Sequence, residues 1–559
     1  MPGIADLLAT YPYIDLPHQP AGWAGFILML VVLLFGLVKA SKNFWLEGSK
    51  NWGLFTILVL AAPLASLILG VNLPGNRSLP VPYVPGETGA PMVMVVSALP
   101  WVLAGGLLGP LPAVVLALLD GTMLALWGTH SLFTPLELGG FALIYSLAVR
   151  QNYRTPFYTV LRHPLGAGLV LGLAYLPVFL LSAFFATNGP LAVRFDYALT
   201  QHWPIVFTRL AEIGAACLVA EILMLARPSL RPQARALRPS PSETSLQTRF
   251  LMGTIPWLVL FLMALMLGDW VMAGNAARQM LEGRMSSTAT VAADSLPFFL
   301  ESGQNLILSM ASPDLAALPQ EELDQRLEWE LRSVAFFREL FFLNAAGEPV
   351  TGYPVSDLEQ LRLSPEEEAG INLALGGVMV QTYTLSPWPG EDNAQVSFIA
   401  SVRGGDGSAQ GVLIGRTDLR TNPFTRPALE ALDSVQADGG EAFILDENRR
   451  VLYHTVPDST LVMSEYFGEL PAEAGTFDEV SPTGTRQMVI YQPVAGRSWS
   501  VVLTMPAVRA QELSLSIAVP LLGILAVFSA VAIVLLSLGL RSLTLHLHTL
   551  AYQATLIAQ

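Results

Sequence analysis

Nine apolar segments run through this chain, and a helix needs about 17 to 25 such residues to cross a bilayer. The segments lie near 21–41, 52–72, 91–108, 110–129, 134–150, 165–187, 205–226, 250–272 and 513–540. Only 13% of the 559 residues are charged, whereas a soluble globular domain averages about 25%. We therefore expect an α-helical membrane protein with about nine transmembrane helices.

The basic residues near the spans predict which side of the membrane each loop occupies. They cluster after spans one, five and seven, at Lys39, Lys42 and Lys50, at Arg150, Arg154 and Arg162, and at Arg227, Arg231, Arg235, Arg238 and Arg249. Nine spans place all three clusters on one side, which is then the cytoplasmic side. The amino terminus and the block between the last two spans then lie outside. Acidic residues precede the first span, whereas a signal peptide begins with basic residues. We therefore expect the first span to remain in the mature protein.

The block at 273–510 differs in charge from the rest of the chain. It contains 32 acidic residues and 15 arginines, a net charge of −17, so the remainder carries +3 of the total of −14. This composition predicts a separate, solvated body. The predicted parts are a seven-span membrane domain (1–226), a cytoplasmic basic linker that contacts lipid (227–249), a transmembrane helix (250–272), an extracytoplasmic domain (273–510), a second transmembrane helix (511–540) and a coiled-coil segment (541–559). Basic residues interleaved with aromatics are missing, which excludes a nucleic-acid-binding face.

The acidic block contains a short internal repeat. The segments "ELFFLNAAGEPVTGY", from Glu339, and "EAFILDENRRVLYH", from Glu441, each consist of an apolar strand, a polar turn and a returning strand. Further β-rich runs follow each of them, "AQVSFIASV" and "GVLIGRTDL" after the first, "RQMVIYQPV" and "SWSVVLTMP" after the second. We therefore expect two α/β modules in tandem.

The last segment, "LTLHLHTLAYQATLIAQ", has one narrow apolar stripe. The stripe comprises Leu543, Leu547, Leu550, Ala554 and Ile557, at alternating steps of four and three residues. Such a seam is typical of a parallel coiled coil. It predicts either a homodimer or a chain that continues.

The order of a span, a long helix, two modules and a returning span resembles the double Cache sensor domain of bacterial receptors. The strings that carry the resemblance are "GVLIGRTDL", "EAFILDENRRVLYH" and "GRSWSVVLTMP". The resemblance implies an α+β extracytoplasmic domain of two tandem PAS-like modules on a long helix. It also implies a small-molecule ligand and a multi-pass location in the bacterial inner membrane.

Two further resemblances concern the membrane parts. "LHTLAYQATLIAQ" resembles the first helix of a HAMP linker, although His546 stands where that family usually has Pro. The glycine that normally follows would come after Gln559, which implies a cytoplasmic kinase, cyclase or phosphatase domain downstream. "PWVLAGGLLGPLPAVVLALLDGTMLALWGTH" and "LAVRQNYRTPFY" resemble the multi-span receptor region of LytS-like sensor kinases.

The Cache resemblance places the ligand pocket in the first module. Aromatic and charged side chains there are candidates to orient a small polar ligand: Arg338, Tyr353, Tyr383, Trp388, Arg403, Arg416 and Asp418. Asp418 matches the acidic position that holds an amine in amino-acid-binding members, but it could equally cap the following "LRTNPF" turn. The companion aromatic and arginine cluster of those members is missing.

Four ionisable residues fall inside or at the ends of predicted spans, where charges are costly. Asp120, Glu137, Arg209 and Glu212 either form a polar pocket or pair with one another between helices. Arg209 and Glu212, three residues apart on one helix face, can pair locally.

Enzyme motifs are missing from this sequence, which has no phosphate-binding glycine loop, no HExxH and no CxxC. We expect neither metal nor cofactor, and we interpret His454 as structural. Three functions remain open. The first is a transmembrane receptor for a small extracytoplasmic molecule. The second is a transporter with an external accessory domain, in which Asp120, Arg209 and Glu212 line the path. The third is a non-enzymatic partner subunit of a signalling complex.

Overall fold

The computed structural model describes residues 12–40, 49–68, 70–72, 92–201, 203–227, 237–244, 246–354, 361–388, 391–405, 407–456, 461–482 and 485–558. They form two compact units. The helical unit comprises Met1–Ala277 and Gln511–Gln559, and the sheet unit comprises Arg278–Ala510. Lys42, Arg231, Arg235 and Gln559 lie outside the described residues, as do the side chains of the predicted stripe from Leu543 to Ile557.

The first part of the chain is almost entirely helical. Its elements are α1 (Pro20–Ala40), α2 (Ser49–Ile68), β1 (Gly70–Asn72), β2 (Met92–Met94), α3 (Leu99–Leu107), α4 (Pro110–Leu124), α5 (Thr134–Arg150), α6 (Pro156–Leu161), α7 (Pro164–Ala186), α8 (Leu191–Asp196), α9 (Trp203–Ala226), α10 (Pro241–Thr244) and α11 (Leu246–Met310). Two π-helical turns, Ala125–Thr129 and Tyr197–Gln201, follow α4 and α8. The core of this unit is apolar and includes the fully buried rings of Trp101, Tyr145 and Tyr175.

Six helices of the described chain are long and apolar enough to cross a membrane. They are Pro20–Ala40, Ser49–Leu67, Pro110–Thr129, Pro164–Ala186, Thr248–Met310 and Ala507–Leu536. Apolar side chains such as Phe35 and Phe528, both 69% exposed, lie on their surfaces. A helix that exposes so much apolar surface is typical of contact with lipid.

The segment 91–108, predicted as a span, is not one continuous helix. This segment contains the strand β2 and then α3, which has 9 residues and therefore extends only about 14 Å. The hydrocarbon core is about 30 Å thick. Pro100 opens α3, and the backbone N–H of Met94 donates to Glu212 Oε1 at 2.8 Å instead of continuing a helix. The predicted count of nine spans stays a prediction.

The sheet unit contains the carboxyl-terminal part of α11 and most of the remaining elements. They are a 3₁₀ turn (Pro313–Ala317), α12 (Gln320–Ser333), β3 (Glu339–Asn344), β4 (Pro349–Tyr353), α13 (Pro365–Leu375), β5 (Val380–Leu385), β6 (Gln395–Arg403), β7 (Ala409–Asp418), α14 (Arg426–Ala437), β8 (Glu441–Leu445), β9 (Val451–His454), β10 (Gly475–Val480), β11 (Arg486–Pro493) and β12 (Ser500–Pro506). The final helix, α15 (Ala507–Ala558), follows β12 directly.

The strands form two antiparallel sheets of five strands with one topology. The first sheet has the order β4-β3-β7-β6-β5 and the second β9-β8-β12-β11-β10. In both, the order counted from the first strand of the sheet is therefore 2-1-5-4-3. The two segments predicted as strand-turn-strand form the antiparallel pairs β3–β4 and β8–β9.

Each face of the first sheet packs against different helices, because successive side chains of a strand point to opposite faces. Leu340 and Phe342 belong to the large core that α11 joins through Phe299 and Ile307. Phe341 and Leu343, on the other face, pack with Ile371 and Ala374 of α13. The face toward α13 carries the site described next.

Candidate functional site

A cleft of about 880 Å³ lies between the first sheet and the beginning of α13. Ligand pockets in proteins typically measure about 300 to 1,000 Å³. Its walls combine apolar, hydroxyl, amide and charged side chains: Leu361, Arg362, Leu363, Ser364, Glu367, Leu385, Ser386, Pro387, Gln395 and Arg416. The composition suits a small polar ligand.

A buried ion pair forms the floor of the cleft. Arg416, near the end of β7, donates from Nε to Glu367 Oε1 at 2.9 Å and from Nη2 to Glu367 Oε2 at 2.6 Å. Its Nη1 lies 3.6 Å from Glu339 Oε2, and its guanidinium lies over the Phe341 ring. The side chain of Glu367 is fully buried. A two-pronged pair of this kind has a fixed geometry, so the floor is rigid.

The sequence places Glu367 in the floor through the start of α13. Ser364 is the N-cap, its side chain accepts from the Glu367 N–H, and Glu367 accepts in return from the Ser364 N–H, which is a capping box. Ser397 Oγ donates to Glu367 Oε1 at 2.7 Å. Helix capping and the ion pair therefore depend on the same carboxylate.

Among the described residues, Gln395 of the cleft wall has a side-chain oxygen without a hydrogen-bond donor. Gln395 is 6% exposed, and its Oε1 accepts no hydrogen bond from the described residues. A buried acceptor without a donor is costly, and native proteins rarely leave one. A ligand with an N–H or O–H group would satisfy it.

A second charged group fastens the loop beside the cleft. Arg338 donates to both oxygens of Glu391, at 2.7 and 2.8 Å, and lies 4.3 Å above the Trp388 ring. Trp388 Nε1 donates to Glu339 Oε1 at 2.6 Å. The hydrogen bonds to Glu391 raise the pKa of Arg338, so this group remains charged. Arg338 and Trp388 thus hold the chain that carries Ser386 and Pro387.

Asp418 is buried and serves the turn after β7. Its Oδ1 accepts from the Thr421 N–H at 2.7 Å, and its Oδ2 accepts from Thr421 Oγ1 and, at 3.3 Å, from Arg338. Both carboxylate oxygens therefore have donors within the chain. The amine-holding role stays a prediction.

Of the other three predicted residues, Tyr353 and Arg403 lie away from this floor, whereas Tyr383 pairs across β5 and β6 with Ser397, which donates to Glu367. Tyr353 pairs with Leu340 across β3 and β4 and so lies on the opposite face of the sheet, where Arg332 donates to its hydroxyl at 2.9 Å. Arg403 is at the far end of β6 and donates to the carbonyl of Gly377. Tyr383, on β5, donates to Gln381 Oε1 at 2.5 Å. Sequence reasoning missed Glu367 and Gln395, although "SPEEE" is a recognisable capping-box signal.

The four ionisable residues predicted inside or at the ends of spans each have local partners. Arg209 Nη1 lies 2.5 Å from Glu212 Oε2. Asp120 accepts from Ser66 Oγ at 2.5 Å and from Trp101 Nε1 at 3.2 Å. Glu137 accepts from Tyr175 at 2.9 Å and from Ser182.

Glu137 and Arg209 line a cavity of about 20 Å³. Such a cavity has room for about one water molecule. Within the described residues, no group of three His, Cys, Asp or Glu side chains could hold a metal ion.

Comparison with known proteins concerns the sheet unit. Residues 273–514 match the family model described as a Cache domain, which confirms the predicted Cache domain. No curated protein matches the chain.

Several solved structures are similar to part of the chain. The ligand-binding domain of the Pseudomonas aeruginosa amino acid chemoreceptor PctC, in complex with GABA, is 23% identical over 40% of this chain and 99% of that one, with a TM-score of 0.33. That of PctB from the same species, with L-Arg, is 21% identical over 42% and 97%, with a TM-score of 0.33. That of the Pseudomonas fluorescens chemoreceptor CtaA, with L-leucine, is 19% identical over 42% and 99%, with a TM-score of 0.33.

Proposed function

We propose that this chain is a transmembrane receptor whose Cache domain binds a small polar molecule in the cleft above Arg416 and Glu367. The observation that carries the proposal is a pocket of ligand size, about 880 Å³, with a charged floor and an acceptor, Gln395 Oε1, that receives no hydrogen bond from the described residues. The apolar helices α1, α2, α4, α7, α11 and α15 hold the chain in a bacterial inner membrane, with the sheet unit on the outer side.

The wall of the cleft indicates what the ligand carries. Arg416 donates to both oxygens of Glu367 and lies close to Glu339, so carboxylates of the floor already balance its charge and it orients the floor. Arg362 is exposed at the rim and offers a guanidinium for an anionic group. Gln395 offers an acceptor for a donor group. A molecule with both, such as an amino acid, fits this arrangement.

Transmission to the cytoplasm uses the direct continuation of β12 into α15. Ligand binding shifts α15 relative to α11 within a homodimer, and a HAMP-like coiled coil receives the shift. Movements of about 1 to 2 Å act as signals only when the receiving element has two stable arrangements. The output is a histidine kinase, diguanylate cyclase or phosphatase activity. The LytS-like helical unit is a second sensory input or an anchor.

The proposal is tested on the full chain in lipid nanodiscs. GABA, L-arginine and L-leucine are titrated separately while the thermal unfolding of the sheet unit is followed, since a ligand at about 100 times its Kd stabilises by about 2.7 kcal/mol. We expect at least one to stabilise the wild-type chain. Ser386→Trp, which places an indole at the exposed wall of the cleft, should weaken that binding by about tenfold or more.

The matched control is Ser309→Trp, at an exposed position of α11 away from the cleft. It should bind as the wild type does. Binding that survives Ser386→Trp would place the ligand elsewhere. Failure of all three compounds to stabilise the wild type would contradict the amino-acid class.

A transporter remains a second candidate because of one observation. The backbone is not helical at 92–98, and Met94 there donates to Glu212 beside Arg209. Interrupted helices near buried charges are typical of transport sites. Uptake of the labelled compounds into proteoliposomes, lost in Glu212→Gln, would support a transporter, and absence of uptake would leave the receptor.

A further inference from the structure

A buried polar contact joins the two sheets within the sheet unit. Thr384 of β5 donates from Oγ1 to Asp446 Oδ2 at 2.9 Å. Arg450 Nη2 donates to the same Thr384 oxygen at 3.1 Å, and Arg450 Nε donates to Asp446 Oδ2 at 2.8 Å. Glu366 of α13 lies 3.6 Å from Arg450 Nη1. These four residues are called the junction below.

The junction is expensive to disrupt, because its central groups are shielded from water. Thr384 is 3% and Asp446 is 2% exposed, and a buried polar group that loses its partner costs free energy. Asp446 also holds its own turn, since Oδ1 accepts from the N–H groups of Asn448 and Arg450, each at 2.8 Å. The turn between β8 and β9 and the contact between the sheets therefore share one carboxylate.

The two junction residues on the side of the first sheet are Thr384 of β5 and Glu366 of α13, and each is adjacent in sequence to a cleft residue. Thr384 precedes Leu385, which lines the cleft, and Glu366 precedes Glu367, which forms its floor. Adjacent residues of a strand point to opposite faces, so β5 presents Leu385 to the cleft and Thr384 to Asp446. A ligand that moves β5 or the first turn of α13 moves the junction with it.

The second-sheet members are one strand away from the helix that leaves the sheet unit. The turn with Asp446 and Arg450 follows β8, and β8 pairs with β12 from Leu445↔Ser500 to Glu441↔Thr504. β12 ends at Pro506, and α15 begins at Ala507. Backbone hydrogen bonds thus connect the junction to α15.

We infer that the junction couples occupancy of the cleft to the second sheet. The inference rests on the proposed function of the cleft. It assigns Asp446 and Arg450 a regulatory role in which they bind no ligand, and it separates ligand binding, in the first sheet, from transmission through the second.

The test attaches a small group covalently inside the cleft, so that it requires no knowledge of the natural ligand. Ser386→Cys in the full chain, in nanodiscs, is labelled with benzyl methanethiosulfonate. The native Cys217 is buried, and mass spectrometry verifies a single addition. Hydrogen exchange is then compared between labelled and unlabelled protein at 361–367, beside the cleft, and at 441–454, in the second sheet. We expect the label to change exchange at both segments.

Two variants disconnect the junction from opposite sides. Thr384→Val/Glu366→Gln removes the first-sheet partners and leaves the Asp446–Arg450 pair intact. Asp446→Ala/Arg450→Met removes both second-sheet partners of Thr384 and serves if the first variant folds poorly. In either, the label should change exchange at 361–367 as before, and its effect at 441–454 should be lost. Arg426→Met, which removes an exposed pair with Glu430, is the matched control and should retain both effects.

An effect at 441–454 that persists in both junction variants would overturn the inference, because transmission would then use another route. An effect at 361–367 without any at 441–454 in the unmodified junction would also overturn it, because the two sheets would be uncoupled. Failure of the three soluble compounds to bind is a separate result. It would contradict the proposed ligand class and leave the coupling measured with the covalent label unchanged.

Discussion

The two sheets of the sheet unit have the same topology, but they differ on one face. In the first sheet this face lies toward α13 and carries the cleft, and in the second it carries Phe443; it is called the outer face below. Both sheets have the strand order 2-1-5-4-3, and their first turns correspond residue by residue. Asn344 Oδ1 accepts from the N–H groups of Ala346 and Glu348, as Asp446 Oδ1 does from Asn448 and Arg450.

The outer faces differ at one register position. Glu339 pairs with Arg416 in the first sheet, and the matching Glu441 pairs with Thr504 in the second. Arg416 attracts the carboxylate of Glu367 and leaves a polar cleft, whereas Phe443, stacked on His454 at 4.4 Å and in contact with Tyr466, fills the second face. The two sheets share one topology, so the position of the site depends instead on the residue near the end of the fifth strand, which is charged only in the first sheet.

The largest effect is expected from Arg416→Met. It leaves the fully buried Glu367 without its cation, and an unpaired buried charge costs about 3 to 5 kcal/mol. The free energy of unfolding of the first sheet, measured by hydrogen exchange at 339–418 in the full chain, should fall by that amount. Thr504→Val, the matched change in the second sheet, should cost about 1 kcal/mol or less. Equal losses in the two variants would contradict the comparison.

The two corresponding turns provide the next contrast. Asn344→Ala removes local turn bonds and should cost about 1 kcal/mol. Asp446→Ala also removes the bonds to Thr384 and Arg450 and should cost about 2 to 3 kcal/mol, because charged, buried bonds are worth more. Equilibrium exchange at 339–353 and 441–454 measures both. If the two substitutions cost the same, the contact between the sheets adds nothing to stability.

Backbone conformation at the same turns predicts a smaller effect of opposite sign. Gly347 has φ +79°, and the corresponding Arg449 has φ +60°, a region that L side chains adopt at a cost of about 1 to 2 kcal/mol. Gly347→Ala should therefore destabilise by about 1 kcal/mol, and Arg449→Gly should stabilise by about 0.5 kcal/mol. Arg426→Gly, within α14, is the control and should destabilise. A stabilising Gly347→Ala would contradict the assignment of corresponding turns.

The smallest effects are those of pH on the second sheet, because the carboxyl groups concerned are partly exposed. Burial raises the pKa of Glu479 above 4.5, so this group destabilises the folded state as pH rises above about 4.5. The hydrogen bond from His454 lowers the pKa of Glu441 below 4.5, so this group stabilises above about 4.5 and loses that contribution as pH falls through its lowered pKa.

The measurement compares Glu479→Gln and Glu441→Gln between pH 4 and pH 7. Relative to the wild type, Glu479→Gln should become progressively more stable with rising pH, and Glu441→Gln progressively less stable. Glu348→Gln, at an exposed turn of the first sheet, is the control. Parallel pH profiles for the two second-sheet variants would show that local burial and the His454 contact do not set these pKa values.

Part of the candidate site was readable from the sequence. Arg416 and Asp418 were found because "GVLIGRTDL" resembles the end of the first module of a double Cache domain. Glu367 and Gln395 were not, since the contact between Glu367 and Arg416 joins residues 49 positions apart. From the sequence, Asp418 could either hold an amine or cap the following turn. Only its contacts with Thr421 and Arg338 show which donors its oxygens accept from.

The sequence by itself determined the properties that depend on neighbouring residues. Apolar length predicted the helices that could cross a membrane, and alternation and turn residues predicted the strand-turn-strand repeats. Side-chain period and turn conformation are local, so a short window contains the information.

Only the tertiary structure decided which residues meet. Hydropathy counts predicted a span at 91–108, but Glu212, 118 positions from Met94, binds a backbone N–H there that a continuous helix would have used. The cleft and the junction likewise arise from contacts between distant strands and helices. Burial, and the cost of leaving a buried polar group without a partner, select among arrangements that the local sequence allows equally.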